Sequence, residues 1–305
     1  MVLRNIHRLS IVLAWSCLAL LIVPREGSPA ESTRSNVLRI GSSPSLTEGK
    51  NGVKEKSNLA TLSVFIKDET GMDNTIVQQK GWREMADRMV KGELELGVFQ
   101  GYEFAWAQEL HADLKPLALA VNVHRYPVVC VMTHRDDKAS DFAGLQGGTI
   151  AIPAIGEGRL KLYVERQCRA ARKKPDEFFT KVNDSHKNVE DPLDDVVDRQ
   201  VKATVVNRAA LEAFKKRKPI RFKQLKQIAE SQPFPPGIVA YYGKNPDEAT
   251  RKRLLDGLLG AARKEKGQMM LTLFRLTGFE TVPDDLGKVL TQTRKDYPPP
   301  DARTK

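Results

Sequence analysis

The 305-residue sequence predicts an α/β fold. Three observations carry the prediction. Short apolar runs alternate with stretches of helical periodicity, glycine and proline punctuate the joins, and one helix–strand–helix pattern occurs twice. Strands that alternate with helices build mainly parallel sheets with helices packed on them. The length suggests about two domains, and an apolar content of 41% supplies real cores.

"VLRIGSSPS" (Val37–Ser45) reads as a strand ending in a Gly-Ser-Pro turn. The polar Lys50–Ser57 is a loop or a helix start, and Leu59–Glu69 is a helix closed by Gly71. Asn74–Gln79 is a short strand. In Trp82–Val90, apolar side chains at Trp82, Met85, Ala86, Met89 and Val90 share one helical face, and Lys91-Gly92 stops it. Leu94–Phe99 is a strand, and Gln100-Gly101 and an aromatic group of Tyr102, Phe104 and Trp106 follow at once. Leu117–Val123 and Pro127–Thr133 are two further strands.

Beyond them come a short helix, a Gly-Gly turn, the strand Thr149–Pro153 and a helix from about Arg159. Phe178–Val182 reads as a strand, Leu193–Arg199 as a helix and Ala203–Val206 as a strand. The proline-rich "SQPFPPG" precedes the strand Ile238–Tyr242. The chain is then helical to about Phe279, and "YPPPDARTK" is a polar tail. Aligning Met85–Ala105 with Pro192–Glu212, a shift of 107, sets Met89 on Val196, Val98 on Val205 and Gln100 on Asn207. Either one structural unit is used twice, or two such units merely share a common periodicity.

The first thirty residues stand apart. Arg4 and Arg8 precede an apolar run, Leu9–Val23, and Ser28-Pro29-Ala30 supplies small residues at a cleavage spacing. That is the pattern of a secretory signal cut near Ala30; an uncleaved anchor is the alternative, though the run is short for a span of roughly 20 residues. Cys17 lies inside the apolar run. Formal net charge is +11, which favours anionic company. Cys130 and Cys168 either pair in an oxidising compartment or stay as buried thiols. No Cys/His spacing resembles a zinc site, and no cofactor is expected. The basic runs Arg169–Lys174 and Lys215–Lys226 have few aromatics for base stacking, so they read as solvated helix faces and not as a nucleic-acid surface.

Four stretches carry a family resemblance: "MVKGELELGVFQGYEFAWA", "YPVVCVMTHRDDKASDFAGLQGGTIAIP", "NDSHKNVEDPLDDVVDRQVKATVVN" and "QPFPPGIVAYYGKNPDEATRKRLLDGLLGA" with its closing "LFRLTGFETV". Over residues 37 to 290 the chain resembles the periplasmic phosphate/phosphite/phosphonate-binding proteins of ABC transporters. The resemblance implies a two-lobed periplasmic-binding-protein-like fold with the ligand cleft between the lobes. Residues 37–123 plus 235–295 would form the first lobe and 124–234 the second, with residues 296–305 a disordered tail. It also implies a monomer, periplasmic or secreted, that closes on a small anionic ligand and delivers it to a membrane permease.

Ligands in open α/β sheets sit beyond the carboxyl ends of strands. Four strand ends are therefore expected to converge. They are the Ser42-Ser43-Pro44-Ser45 turn, with Ser43 and Ser45 as candidate ligands, Gln100 and Tyr102, the Gly156-Glu157-Gly158-Arg159 loop, and Ser185-His186. Phe104 and Trp106 are expected in the core and Tyr102 in the cleft. Two positions depart from the family: Glu157 stands where a hydroxyl-rich loop would cradle the phosphonate, and Lys202 replaces an acidic residue. Arg125, near the expected crossover, reads as a hinge charge. Tyr241-Tyr242, an iron-binding pattern elsewhere, should point to opposite faces of a strand. No nucleophile–base pairing suggests an enzyme. The rival readings are a ligand sensor for a receptor, an enzyme on the same scaffold, and a member that has lost phosphonate binding.

Overall fold

The computed structural model describes residues 37–44, 52–153, 158–186 and 188–300. The proposed signal and leader, Ser45, Gly156, Glu157 and the last five residues lie outside the described residues.

In chain order the elements are β1 (Val37–Ser42), α1 (Gly52–Thr70), β2 (Asp73–Gln78), α2 (Trp82–Val90), β3 (Leu96–Phe99), α3 (Gly101–Leu110) and β4 (Leu114–Val121). Then come β5 (Val129–His134), a 3-10 turn at Ala143–Leu145, β6 (Thr149–Ala151), α4 (Gly158–Ala170), α5 (Pro175–Phe178) and β7 (Lys181–Asn183). They are followed by α6 (Asp191–Val197), β8 (Ala203–Asn207), α7 (Arg208–Arg217), α8 (Pro219–Phe222) and β9 (Leu225–Glu230). The chain ends with β10 (Gly237–Tyr242), α9 (Glu248–Gly260), a 3-10 turn at Ala261–Arg263, α10 (Glu265–Phe274), β11 (Gly278–Glu280) and α11 (Leu286–Asp296).

The strands form two sheets, β11-β4-β10-β3-β1-β2 and β7-β6-β8-β5-β9. The first takes its strands from residues 37–121 and 237–280, the second from 129–230. Neither is mainly parallel. β1 pairs β2 and β3 in parallel, but β10 pairs β3 and β4 antiparallel. Likewise β6 pairs β7 and β8 in parallel, while β5 pairs β8 and β9 antiparallel. The reason is the route of the chain: β5 and β10 are each the first strand after a crossing between sheets, and each enters its new sheet running backwards.

Each sheet carries an apolar cluster on both faces. Residues of α2, α3 and α11 cover one face of the first sheet, and residues of α1, α9 and α10 cover the other. The second sheet lies between an aromatic cluster around Phe142, Tyr163 and Phe178 and a smaller one around Leu193 and Phe214. Cys130 and Cys168 fall in these two different clusters, so they are buried unpaired thiols. Burial pushes the Cys168 thiol up to about 11.

Local sequence rules fail at four places. Phe178 ends the short helix α5, and the strand starts only at Lys181. Leu225–Glu230 is a strand because β5 offers it an edge, although half its residues are polar and they do not alternate cleanly with the apolar ones. β11 follows α10, and α11 continues the chain beyond the expected end of helix. Tyr297, in the expected polar tail, is buried; its ring stacks on Phe234 at 4.6 Å and its carbonyl accepts from Trp106 Nε1 at 2.7 Å. A large ring that finds an apolar partner is ordered regardless of polar neighbours.

Candidate functional site

The carboxyl ends of β1, β3 and β8 open onto one cavity of about 220 Å³. Its polar end is lined by Ser42, Gln100, Asn122, Arg159 and Asn207. Strand alternation selects these residues. Ile40 faces the cavity, so Ser42 does too, two residues on. Val98 pairs with Ser42 and brings Gln100 to the same rim.

Arg159 is the second residue of α4, is only 9% exposed, and donates from Nη2 to Gln100 Oε1 at 3.2 Å. That bond spans the two sheets' lobes. No carboxylate among the described residues pairs with Arg159. A guanidinium held out of water without a counter-ion is an unfavourable arrangement unless an anion joins it. The positive end of α4 acts in the same sense. Ser42 Oγ is buried in the same wall and has no hydrogen-bond partner among the described residues. Asn207 is the N-cap of α7, its side chain accepting from the Ala209 N–H at 3.1 Å. The site thus offers a cation, three amides and a hydroxyl unsatisfied among the described residues around one space.

Tyr102 stands beside this group as a wedge. It is 6% exposed, its ring meets Trp106 edge-on at 5.1 Å, and both rings join the core of the second lobe. Phe104 faces the other way, into the core of the first lobe. A methyl group at Gly158 would lie 2.3 Å from the Tyr102 hydroxyl. Only glycine lets α3 and α4 approach this closely. Gly101 serves the other crossing in the same way: a methyl there would lie 2.2 Å from the Pro235 carbonyl oxygen.

The remaining expected residues go elsewhere. Ser43 is fully buried and its N–H donates to the Val98 carbonyl at 3.1 Å, so Ser42 is the hydroxyl that faces the cavity. Ser185 is exposed and donates to Asn183 Oδ1 at 2.7 Å. His186 Nε2 meets Asp195 Oδ2 at 2.9 Å, within the second lobe. Neither lines the cavity. Arg125 pairs with Glu280, and the Tyr126 hydroxyl donates to Asp285 Oδ1 at 2.5 Å, so both residues are anchored to the first lobe. Burial, with Asp285 next in weight, pushes the Tyr126 phenol well above its ordinary range. Lys202 sits at the opposite end of β8 from Asn207 and donates to the Gly144 carbonyl at 2.8 Å. Its charge therefore does not bear directly on the cavity. Tyr241 and Tyr242 pack on opposite faces of β10. Lys218 and Arg221 in the second basic run bond to Asp194 of α6, each at 2.5 Å.

Sequence reasoning missed Asn122 and Asn207, and within the Ser42–Ser45 turn it preferred Ser43 and Ser45 to Ser42. Two signals were available: the alternation along β1, and the internal repeat that sets Asn207 on Gln100.

The comparisons with known proteins agree with this architecture. The family model for the ABC transporter, phosphonate, periplasmic substrate-binding protein matches residues 50–286. Among curated proteins none matches significantly. Among solved structures, a Xanthomonas citri protein bound to chloride ion is 16% identical, with 86% of this chain and 98% of that one covered and a TM-score of 0.61. A Prochlorococcus marinus protein in complex with methylphosphonate is 13% identical, covers 86% and 98%, and gives 0.59. A binding protein component of an ABC phosphonate transporter from Pseudomonas aeruginosa is 15% identical, covers 85% of each chain, and gives 0.54. At such identities the structural likeness speaks for the fold.

Proposed function

Because the chain belongs to the phosphonate periplasmic substrate-binding protein family of ABC transporters, we propose that it captures a phosphonate-like oxyanion between its two lobes. Family membership makes it a solute-binding component of a transporter and places it in the periplasm. The choice of ligand and of residues is our reading. The observation that carries it is Arg159, buried, without a carboxylate partner among the described residues, and bonded across the lobes to Gln100.

In this reading the anion's oxygens accept from the Arg159 guanidinium, from Ser42 Oγ and from the Gln100 and Asn207 amides. Charge-assisted bonds of this kind are about twice as strong as neutral ones. Tyr102 and Gly158 hold the lobes in register at their close approach, and we include Ser45, Gly156 and Glu157, which lie outside the described residues, among the proposed ligand contacts. Closing the lobes excludes water and presents one joined surface to the permease. The chain acts as a monomer after cleavage near Ala30, and it releases its ligand chemically unchanged.

A thermal-shift titration with methylphosphonate, phosphite, phosphate and methanesulfonate tests this. A ligand at 100 times its Kd stabilises by about 2.7 kcal/mol, a rise of several degrees. We expect at least one oxyanion to do so, and Arg159→Ala to remove the shift. No shift with any of them at millimolar concentration overturns the reading, as does an unchanged shift in Arg159→Ala.

A further inference from the structure

The cavity does not end at its polar group. It continues along the face of the first sheet, beneath α1, α9 and α10. There its walls are Val98 and Val239 from the sheet, Leu62 from α1, Leu258 from α9, and Met270 and Phe274 from α10. Two of these are incompletely covered among the described residues. Val98 lies in a central strand and yet is only half-buried, as is Leu62.

Interiors are normally filled to the density of organic crystals, and an apolar face left facing a void loses its dispersion contacts. An oxyanion the size of phosphate or methylphosphonate would occupy the polar end alone. The cavity of about 220 Å³ exceeds the ~150 Å³ that accommodates benzene in an apolar core. A charged head and an apolar extension thus share one continuous space, which is the form of a site for an amphiphilic molecule.

Resting on the oxyanion reading above, we propose that the ligand is an organophosphonate bearing an alkyl or aryl group of about six carbons. The phosphonate meets Arg159, Gln100, Asn207 and Ser42. The hydrocarbon lies between the first sheet and α1, α9 and α10, and completes their packing. Six carbons follow from the volume, since a chain of that size is comparable to the benzene that fills a smaller apolar void.

Isothermal titration of the protein with methyl-, butyl-, hexyl- and decylphosphonate tests the proposal. Burying each methylene contributes about 0.8 kcal/mol, so Kd should tighten roughly fourfold per carbon, with the gain ending near hexyl. Leu62→Trp fills the apolar end and should lower the hexyl-to-methyl affinity ratio at least tenfold. Ala120→Leu, on the same wall, is the second variant should the tryptophan prevent folding. A flat series, or one that weakens with length while methylphosphonate binds, overturns this proposal and leaves the oxyanion reading intact. Failure of every member to bind overturns both.

Discussion

The two lobes share one plan and differ in how they finish it. Matching β2, β1, β3, β10 and β4 of the first sheet to β7, β6, β8, β5 and β9 of the second reproduces the strand order and every parallel or antiparallel pairing. Even the bulge recurs: the register shifts between Val239 and Ala240 in one sheet and between Val131 and Met132 in the other. A shift of 107 carries α3 (Gly101–Leu110) onto α7 (Arg208–Arg217), with an amide residue capping each. The repeat read from the sequence is therefore a structural repeat.

The differences lie in side chains. Each amide caps its own helix, and Gln100 in addition accepts from Arg159 across the lobes. Glu95 clasps Arg39 of β1, its Oε2 accepting from the Arg39 N–H at 2.7 Å; its counterpart Lys202 uses its backbone N–H to bond Thr149 Oγ1 at 2.9 Å. The second lobe packs its helix face with Phe142, Tyr163, Phe178 and Phe179. The first leaves a cavity beneath α1. A shared backbone plan thus leaves each lobe free to specialise, one as a packed base and one as a receptacle.

The comparison can be broken or sharpened by substitution. Arg159→Ala removes the cation that faces the first lobe. Truncating one partner of a buried charged contact costs about 2–5 kcal/mol, so affinity for the oxyanion should fall at least about 30-fold by calorimetry, with the circular dichroism unchanged. Retained affinity would mean that the second lobe contributes no charge to recognition. Tyr102→Ala empties a buried ring position between the lobes. Loss of a buried aromatic costs about 3 kcal/mol or more, so Tm should drop by several degrees and binding should weaken with it. A drop in neither would show that the lobes are not held together there.

Asn207→Ala against Gln100→Ala separates the two halves of the repeat. The lost cap should cost about 1 kcal/mol of stability in the first variant. Gln100→Ala also loses the cap of its own helix and should in addition weaken binding, read as a larger rise in Kd than Asn207→Ala gives at a similar loss of Tm. Equal changes in Kd would contradict the difference drawn above. Lys202→Asp, which restores the acidic residue of the family pattern, should change stability by no more than about 0.5 kcal/mol and leave Kd unaltered. A measurable change in Kd would place the far end of β8 in contact with the site.

Much of this was legible in the residues. Trp82–Val90 is a helix over the predicted span, because its apolar spacing and Gly92 leave no competing pattern. Gly92 takes φ +71°, which suits glycine above other residues. The site was half legible. Gln100 and Arg159 were found because they end elements that the resemblance placed at a cleft. Ser42 stood among the turn's candidate hydroxyls but was not preferred to Ser43 and Ser45, because a turn's composition does not tell which hydroxyl continues the inward face of a strand. β9 was missed because its edge pairing with β5 is a tertiary event.

Most of the elements before β9 and the basic balance were set by the sequence, since they follow from local periodicity, turn chemistry and charge. The antiparallel entry of β5 and β10, the closeness of Tyr102 to Gly158 and the hollow beneath α1 were decided only when the lobes folded. They depend on contacts between residues far apart in the chain, and no local pattern records which distant surfaces will meet or how completely they fill the space between them.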